Sequence, residues 1–176
     1  MLAAFYDKEI EQEEIVHAAK VEKKIKLHGM TVEELAQAAK ILVPDLKFWL
    51  KRNATITELS QLINVFKVPV GVEWQGIFDY PDEEISEDED DDPGHIAVIT
   101  YLDTQNNLIK IADPDAHYAG KDRQFSVLQF ERRWWDINCI VDGVKKRRYE
   151  QDDYHLIFIL TPPYVVFPES LRMKRE

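Results

Sequence analysis

The hydrophobic period of the chain changes near residue 67, from helical to extended, and that change decides which classes of fold are open to it. Before it, apolar residues recur every three or four positions. Ile15, Val16 and Ala19 mark a first helix over residues 11–19. Thr31 and Glu34 form a capping box, in which the side chain of each satisfies the other's backbone amide. Leu35, Ala38, Ala39 and Leu42 then make one helix face until Pro44 ends it. Thr55 and Glu58 repeat the box ahead of Leu59, Leu62, Ile63 and Phe66, and between these two helices LKFWLKRN reads as a short strand.

After the change, VPVGVEW (68–74), HIAVITYL (95–102), NLIKIAD (107–113) and YHLIFIL (154–160) are rich in β-branched and aromatic residues, which pack well on a pleated surface. One helix interrupts them, opened by a third box of Ser126 and Gln129 and continued by Phe130, Arg133 and Trp134. Helices first and strands afterwards predict an α+β fold with a mostly antiparallel sheet. With 176 residues, 45 % of them apolar, and neither linker nor internal repeat, residues 1–176 are expected to form a single domain.

The formal charge of −11 is concentrated in one place. The run DEEISEDEDDD, residues 82–92, holds nine acids, and without it 24 acids face 22 bases. A like-charge block of this kind predicts a solvated, mobile loop, and the nearly neutral remainder gives no ground for nucleic-acid binding. The run lacks the turn glycine and alternating ligands of a calcium loop, and the five histidines lack metal-site spacing, so no metal or cofactor is expected. KKRRY, residues 145–149, reads as a hairpin tip. No apolar run reaches the roughly 20 residues needed to span a membrane. With Cys139 as the one cysteine, no internal disulfide is possible, and the default setting is cytoplasmic.

Chemistry concentrates in GHIAVITYLDTQNNLIKIADPD, residues 94–115. A hairpin folded about the polar turn DTQNN brings Asp113 within two or three positions of the residue opposite His95, so both groups fall at one end of the sheet. A carboxylate accepting the Nδ1 proton of an imidazole fixes its tautomer and leaves Nε2 to act as a base. The same residues also read as a strand-end histidine bonded to a backbone carbonyl beside an ordinary Asp-Pro turn. Gln75 and His117 are secondary candidates for a cleft, and Cys139, following a helix instead of opening one, reads as a small buried hydrophobe. The tryptophans read as core.

The order VPVGVEW, GHIAVITYLD, LIKIADPD, FSVLQFERRWW resembles the C-terminal half of papain-like cysteine peptidases of the bacteriocin-processing (double-glycine leader) type, the thirty-ninth family of the cysteine class. The resemblance covers most of the chain, from Met1 to about Leu160, and implies a papain-like fold. In that family a histidine opening an apolar strand is the general base and an aspartate in the following Asp-Pro orients it. These positions match His95 and Asp113. The family's nucleophile lies in a Cys-Gly-[small] motif at the start of the first helix, and no such motif occurs here. By this correspondence Met1 to Tyr6 matches the tail of that helix. The resemblance therefore implies a domain lacking the start of the nucleophile helix, related to peptide-bond hydrolases but inactive as it stands. The alternative is a module that binds a peptide or protein without cutting it. The oligomeric state stays open.

Overall fold

The computed structural model describes residues 1–25, 29–76, 94–141 and 148–176. The acidic run 82–92, the loop at His28 and the expected hairpin tip at 145–147 lie outside the described residues. After a 3-10 turn at Ala3–Tyr6 come α1 (Gln12–Ala19), α2 (Val32–Leu42), β1 (Lys47–Lys51) and α3 (Ile56–Ser60), which continues as a π-helical turn at Gln61–Val65. The extended half holds β2 (Val70–Gln75), β3 (Gly94–Asp103), β4 (Leu108–Ala112), β5 (Arg123–Phe125), α4 (Val127–Arg133), β6 (Trp135–Val141), β7 (Arg148–Tyr154), β8 (Ile157–Thr161), α5 (Phe167–Ser170) and β9 (Lys174–Arg175).

The helix starts follow the local chemistry. Thr31 accepts from the Glu34 amide while the Glu34 carboxylate accepts from the Thr31 amide, and Thr55 and Glu58 do the same. Ser126 accepts from the Gln129 amide at 3.0 Å. The segment LKFWLKRN does contain a strand, β1. Strands β5, β6, β7 and β9 went unpredicted. β5 and β9 are short and β7 is strongly charged, so their apolar alternation is weak, whereas β6 does alternate, with Trp135, Ile137, Cys139 and Val141 in every second place.

Seven strands make one sheet in the order β5-β4-β3-β2-β8-β1-β9, and β6 and β7 pair separately as a hairpin. The described pairings in the large sheet are antiparallel. An α+β arrangement of helices with a mostly antiparallel sheet follows. One face of the sheet carries Val70, Val72, Trp74, Ala97, Ile99, Ile109 and Ile111, buried against Leu59, Leu62 and Ile63 of the α3 segment and Phe130 of α4. The other face carries Val98, Phe48, Leu50 and Phe158, buried against Val32 and Ala36 of α2 and against Leu2 and Ala3. The second face thus receives the N-terminal segment.

The site depends on one irregularity. Between Ile99↔Ile111 and Tyr101↔Lys110 the β3–β4 register shifts, so Thr100 is an extra residue on β3. Side chains alternate along a strand, and a one-residue insertion flips every residue beyond it to the other face. Outside the bulge Leu102 pairs with Ile109, inside it Ile99 pairs with Ile111, and all four lie on the α3–α4 face. Continuing inward, His95 falls on that face with Ala97, and Asp113 falls on it with Ile111. With no bulge, His95 would point to the α2 face and Asp113 would not.

Gly71 faces the other side, where the Phe158 ring lies against it. A Cβ built there would sit 2.2 Å from two ring carbons. Phe158 is itself stacked on Phe48, with ring centroids 5.4 Å apart. Gly71→Ala should therefore destabilise the fold by about 1–3 kcal/mol through overpacking. Urea denaturation checks this, and an unchanged midpoint would show that the aromatic pair moves without cost.

Candidate functional site

His95 is the second residue of β3, and Asp113 follows the last residue of β4, so both lie at the end of the sheet where β2 stops. The His95 Nε2 lies 2.7 Å from Asp113 Oδ1. The Asp113 side chain is 0 % exposed and the His95 side chain 19 %. Two further donors reach the same carboxylate. The Asp115 amide donates to Oδ1 at 3.0 Å, and Arg123 Nη1 donates to Oδ2 at 2.8 Å. The Asp-Pro turn is real, and its Asp115 N–H is one of the bonds that holds Asp113 for His95. The turn reading and the orienter reading therefore describe one arrangement.

Burial alone would raise the Asp113 pKa. The bonds from His95, the Asp115 amide and Arg123 outweigh it and hold the carboxyl at about 2. An ionised Asp113 only accepts, so the His95 proton facing it sits on Nε2. This reverses the expected orientation of the ring, in which Nδ1 met the carboxylate. Strand-end spacing brings the two residues to one end of the sheet and sets neither the face they share nor the side-chain rotation that chooses the nitrogen.

Arg123 was not foreseen. It opens β5 opposite Ile111, one diagonal step from Asp113, and its guanidinium lies 3.9 Å from the Tyr118 ring centroid and 5.0 Å from that of Phe125. The sequence signal is only Arg-Gln-Phe in a polar stretch, which gains meaning once β5 is paired with β4. Tyr118, Lys121, Asp122, Arg123, Gln124 and Phe125 line a cavity of about 410 Å³ on this side of the dyad.

The other candidates are placed elsewhere. Gln75 lies on the opposite face from His95, paired with Gly94, and its amide donates to Asp136 Oδ1 at 2.9 Å and to the Trp135 carbonyl at 3.3 Å. His117 is exposed in the turn after β4, its ring centroid 6.1 Å from that of Tyr118. Cys139 lies on β6 opposite Glu150, and its side chain is outside those described. Trp49, Trp74 and Trp134 are buried in the core, while Trp135 at the start of β6 is half-buried. Among the described residues, no three His, Cys, Asp or Glu side chains are grouped as a metal site would need, and no helix is long and apolar enough to cross a membrane.

Compared with models of protein families, with curated proteins and with solved structures, the chain matches none.

The depressed Asp113 pKa fixes a pH dependence. A carboxyl held near 2 in the fold and near 4 in the unfolded chain contributes stability above about pH 4, lost as pH falls toward 2. The contribution is about 2 kcal/mol. Asp113→Asn should be less stable than the parent at pH 6, and its stability should fall less steeply between pH 4 and 2. Chemical denaturation at a series of pH values checks this. Parallel curves for the two proteins would place the bonded state of Asp113 in doubt.

Proposed function

We propose that the chain is a cysteine-peptidase-like domain of papain-like α+β fold, related to leader-peptide-processing peptidases, with His95 as general base and Asp113 as its orienter. The observation that carries this reading is the 2.7 Å contact between His95 Nε2 and a buried, ionised Asp113. In the complete form of such a site, a thiol gives its proton to the histidine nitrogen facing it. The thiolate then attacks a peptide carbonyl, the amine leaves with that proton, and water hydrolyses the thioester. The substrate or ligand is a peptide or protein, no cofactor takes part, and the setting is cytoplasmic.

The chain itself supplies base and orienter without a matching thiol. Its one cysteine, Cys139, lies on β6, where the family has none. The 176 residues are therefore read as not cleaving peptides on their own. Leu2, Ala3 and Tyr6 pack on the sheet face opposite His95, so the segment matched to the tail of the nucleophile helix does not lie on the face of the dyad. A second reading, a peptide- or protein-binding module on a degenerate peptidase fold, is favoured by that same lack of a thiol.

The two readings separate at the DNA. An in-frame Gln…Cys-Gly-[small] motif upstream of the Met1 codon supports the enzyme, and a stop codon with no motif removes it. Where the motif is present, the longer product should hydrolyse peptides, and His95→Ala should lower kcat/KM by about 10²- to 10⁴-fold, with Asp113→Asn losing less. Unchanged kcat/KM in His95→Ala would remove His95 from the chemistry. Where the motif is absent, peptides titrated onto the chain should shift the His95 resonances, and no shift with any peptide ends the binding reading.

A further inference from the structure

On the far side of the sheet end that carries His95, the β6–β7 hairpin is fastened to β2 through a buried group of acids. Glu73 of β2 is only 2 % exposed. Its Oε1 accepts from Asn138 Nδ2 at 3.1 Å, and the same amide donates to Asp153 Oδ2 of β7 at 3.1 Å. Glu73 Oε2 is buried with no hydrogen-bond partner. The carboxyls of Asp136 on β6 and Asp153 face it, and both oppose its ionisation. Ionised carboxylates cannot donate to one another, so the orphaned oxygen finds a partner only when it carries a proton. An O–H on Oε2 then donates to one of the facing carboxylates, and a repulsive contact becomes a bond.

Other charges around the group are committed elsewhere or hold single members of it. Arg52, just after β1, bonds Asp153 through Nε and Glu33 of α2 through Nη2, the latter at 2.6 Å. Gln151 of β7 donates to both Asp153 oxygens, at 3.3 and 3.4 Å. Gln75 and the Ile137 amide, at 2.9 and 2.8 Å, donate to Asp136. Arg133 at the end of α4 donates to the carbonyls of Gln75 and Gly76. His155, in the turn into β8, bonds the Ala54 carbonyl and stacks on Trp134. None of these contacts is to Glu73.

The main chain does little to hold this junction. β2 pairs with β8 only at Gly71↔Phe158 and Val72↔Ile157, so the Glu73–Gln75 end of β2 has the hairpin and not β8 beside it. The contact continues to the neighbour of His95. A Cβ on Gly94 would lie 2.0 Å from Asp136 Oδ2, so the Asp136 carboxyl rests directly on the β3 backbone one residue from the histidine.

We propose that a proton shared between Glu73 and the carboxylates of Asp136 and Asp153 latches the β6–β7 hairpin onto β2, and that losing it loosens the hairpin and the sheet end beside His95. The latch holds in mild acid and weakens toward neutral and alkaline pH. Burial pushes the Glu73 carboxyl up to about 8; the Asn138 bond opposes this, and the two aspartates add to it. Burial also raises Asp136. With the closed hairpin binding a proton that the open one releases near pH 4.5, the opening equilibrium rises as pH climbs from about 4.5 to about 8 and levels off above that. The latch stands independently of any chemistry at His95.

Hydrogen exchange of the whole chain, followed by mass spectrometry from pH 5.5 to 8 and normalised to intrinsic exchange at each pH, tests it. The opening constants of peptides covering residues 135–141 and 148–154 should rise about a hundredfold, and those of β1 and β8 should not follow. Glu73→Gln, which carries a permanent donor in the shape of the protonated acid, should reduce the rise to less than about threefold. A flat profile in the parent, an equal rise in Glu73→Gln, or a rise shared by β1 and β8 overturns the latch. Should Glu73→Gln fail to fold, Asp136→Asn, which gives Glu73 an amide donor in place of a charge, must cut the rise in the same way, and an unchanged rise there overturns it equally.

Discussion

The extra residue at Thr100 is the constraint on which the candidate site rests. His95 and Asp113 belong to adjacent strands of one hairpin, and a regular register would send their side chains to opposite faces of the sheet. The inserted residue turns the inner half of β3 over. Thr100 is itself tied down, its hydroxyl 2.6 Å from Asp122 Oδ2 at the approach to β5. The strand that supplies a cation to Asp113, through Arg123, is thereby linked to the bulge that brings His95 to Asp113. Apolar residues occur on both faces of β3, with Ile96 and Val98 on one and Ala97 and Ile99 on the other, so burial alone does not choose the register there.

Two buried acids within a few residues of His95 take opposite states, and their partners explain the difference. Asp113 receives three donors, from His95, Arg123 and the Asp115 amide, and stays ionised. Glu73, buried, receives one amide and faces two other acids, and its carboxyl is pushed up to about 8. Burial is common to both and cannot distinguish them. The same sheet end thus holds a fixed negative charge on the His95 face and a proton-dependent contact on the other.

Much of the scaffold was legible because its signals are local. Thr31 with Glu34 and Thr55 with Glu58 each announce a helix within four residues, and DTQNN announces the hairpin that joins β3 to β4. Counting along that hairpin brings His95 and Asp113 to one end of the sheet, but the bulge at Thr100 that puts them on one face has no such local signal. What stayed hidden depends on partners distant in sequence. Arg123 matters only once β5 lies beside β4, and the choice of Nε2 over Nδ1 depends on a side-chain rotation that no spacing encodes. The hairpin of β6 and β7 stays hidden because Arg148, Glu150, Asp152 and Asp153 leave β7 little apolar alternation, so the alternating Trp135, Ile137 and Val141 of β6 have no evident partner strand. Asp136, Asn138 and Asp153 of this hairpin are the ones that meet Glu73 in the core. The π-helical turn at Gln61–Val65 likewise has no signature in a pattern that fits an ordinary helix.

Long-range proton–nitrogen correlation spectra of the imidazole, assigned with His95→Gln, test the geometry most directly. With Asp113 ionised and bonded to Nε2, the neutral His95 ring should carry its proton on Nε2, and that proton should exchange slowly with water. The signal should be lost in Asp113→Asn or in a chain lacking Thr100. A ring protonated on Nδ1 would contradict the Nε2 contact, and one averaging rapidly between the two nitrogens would contradict the dyad itself.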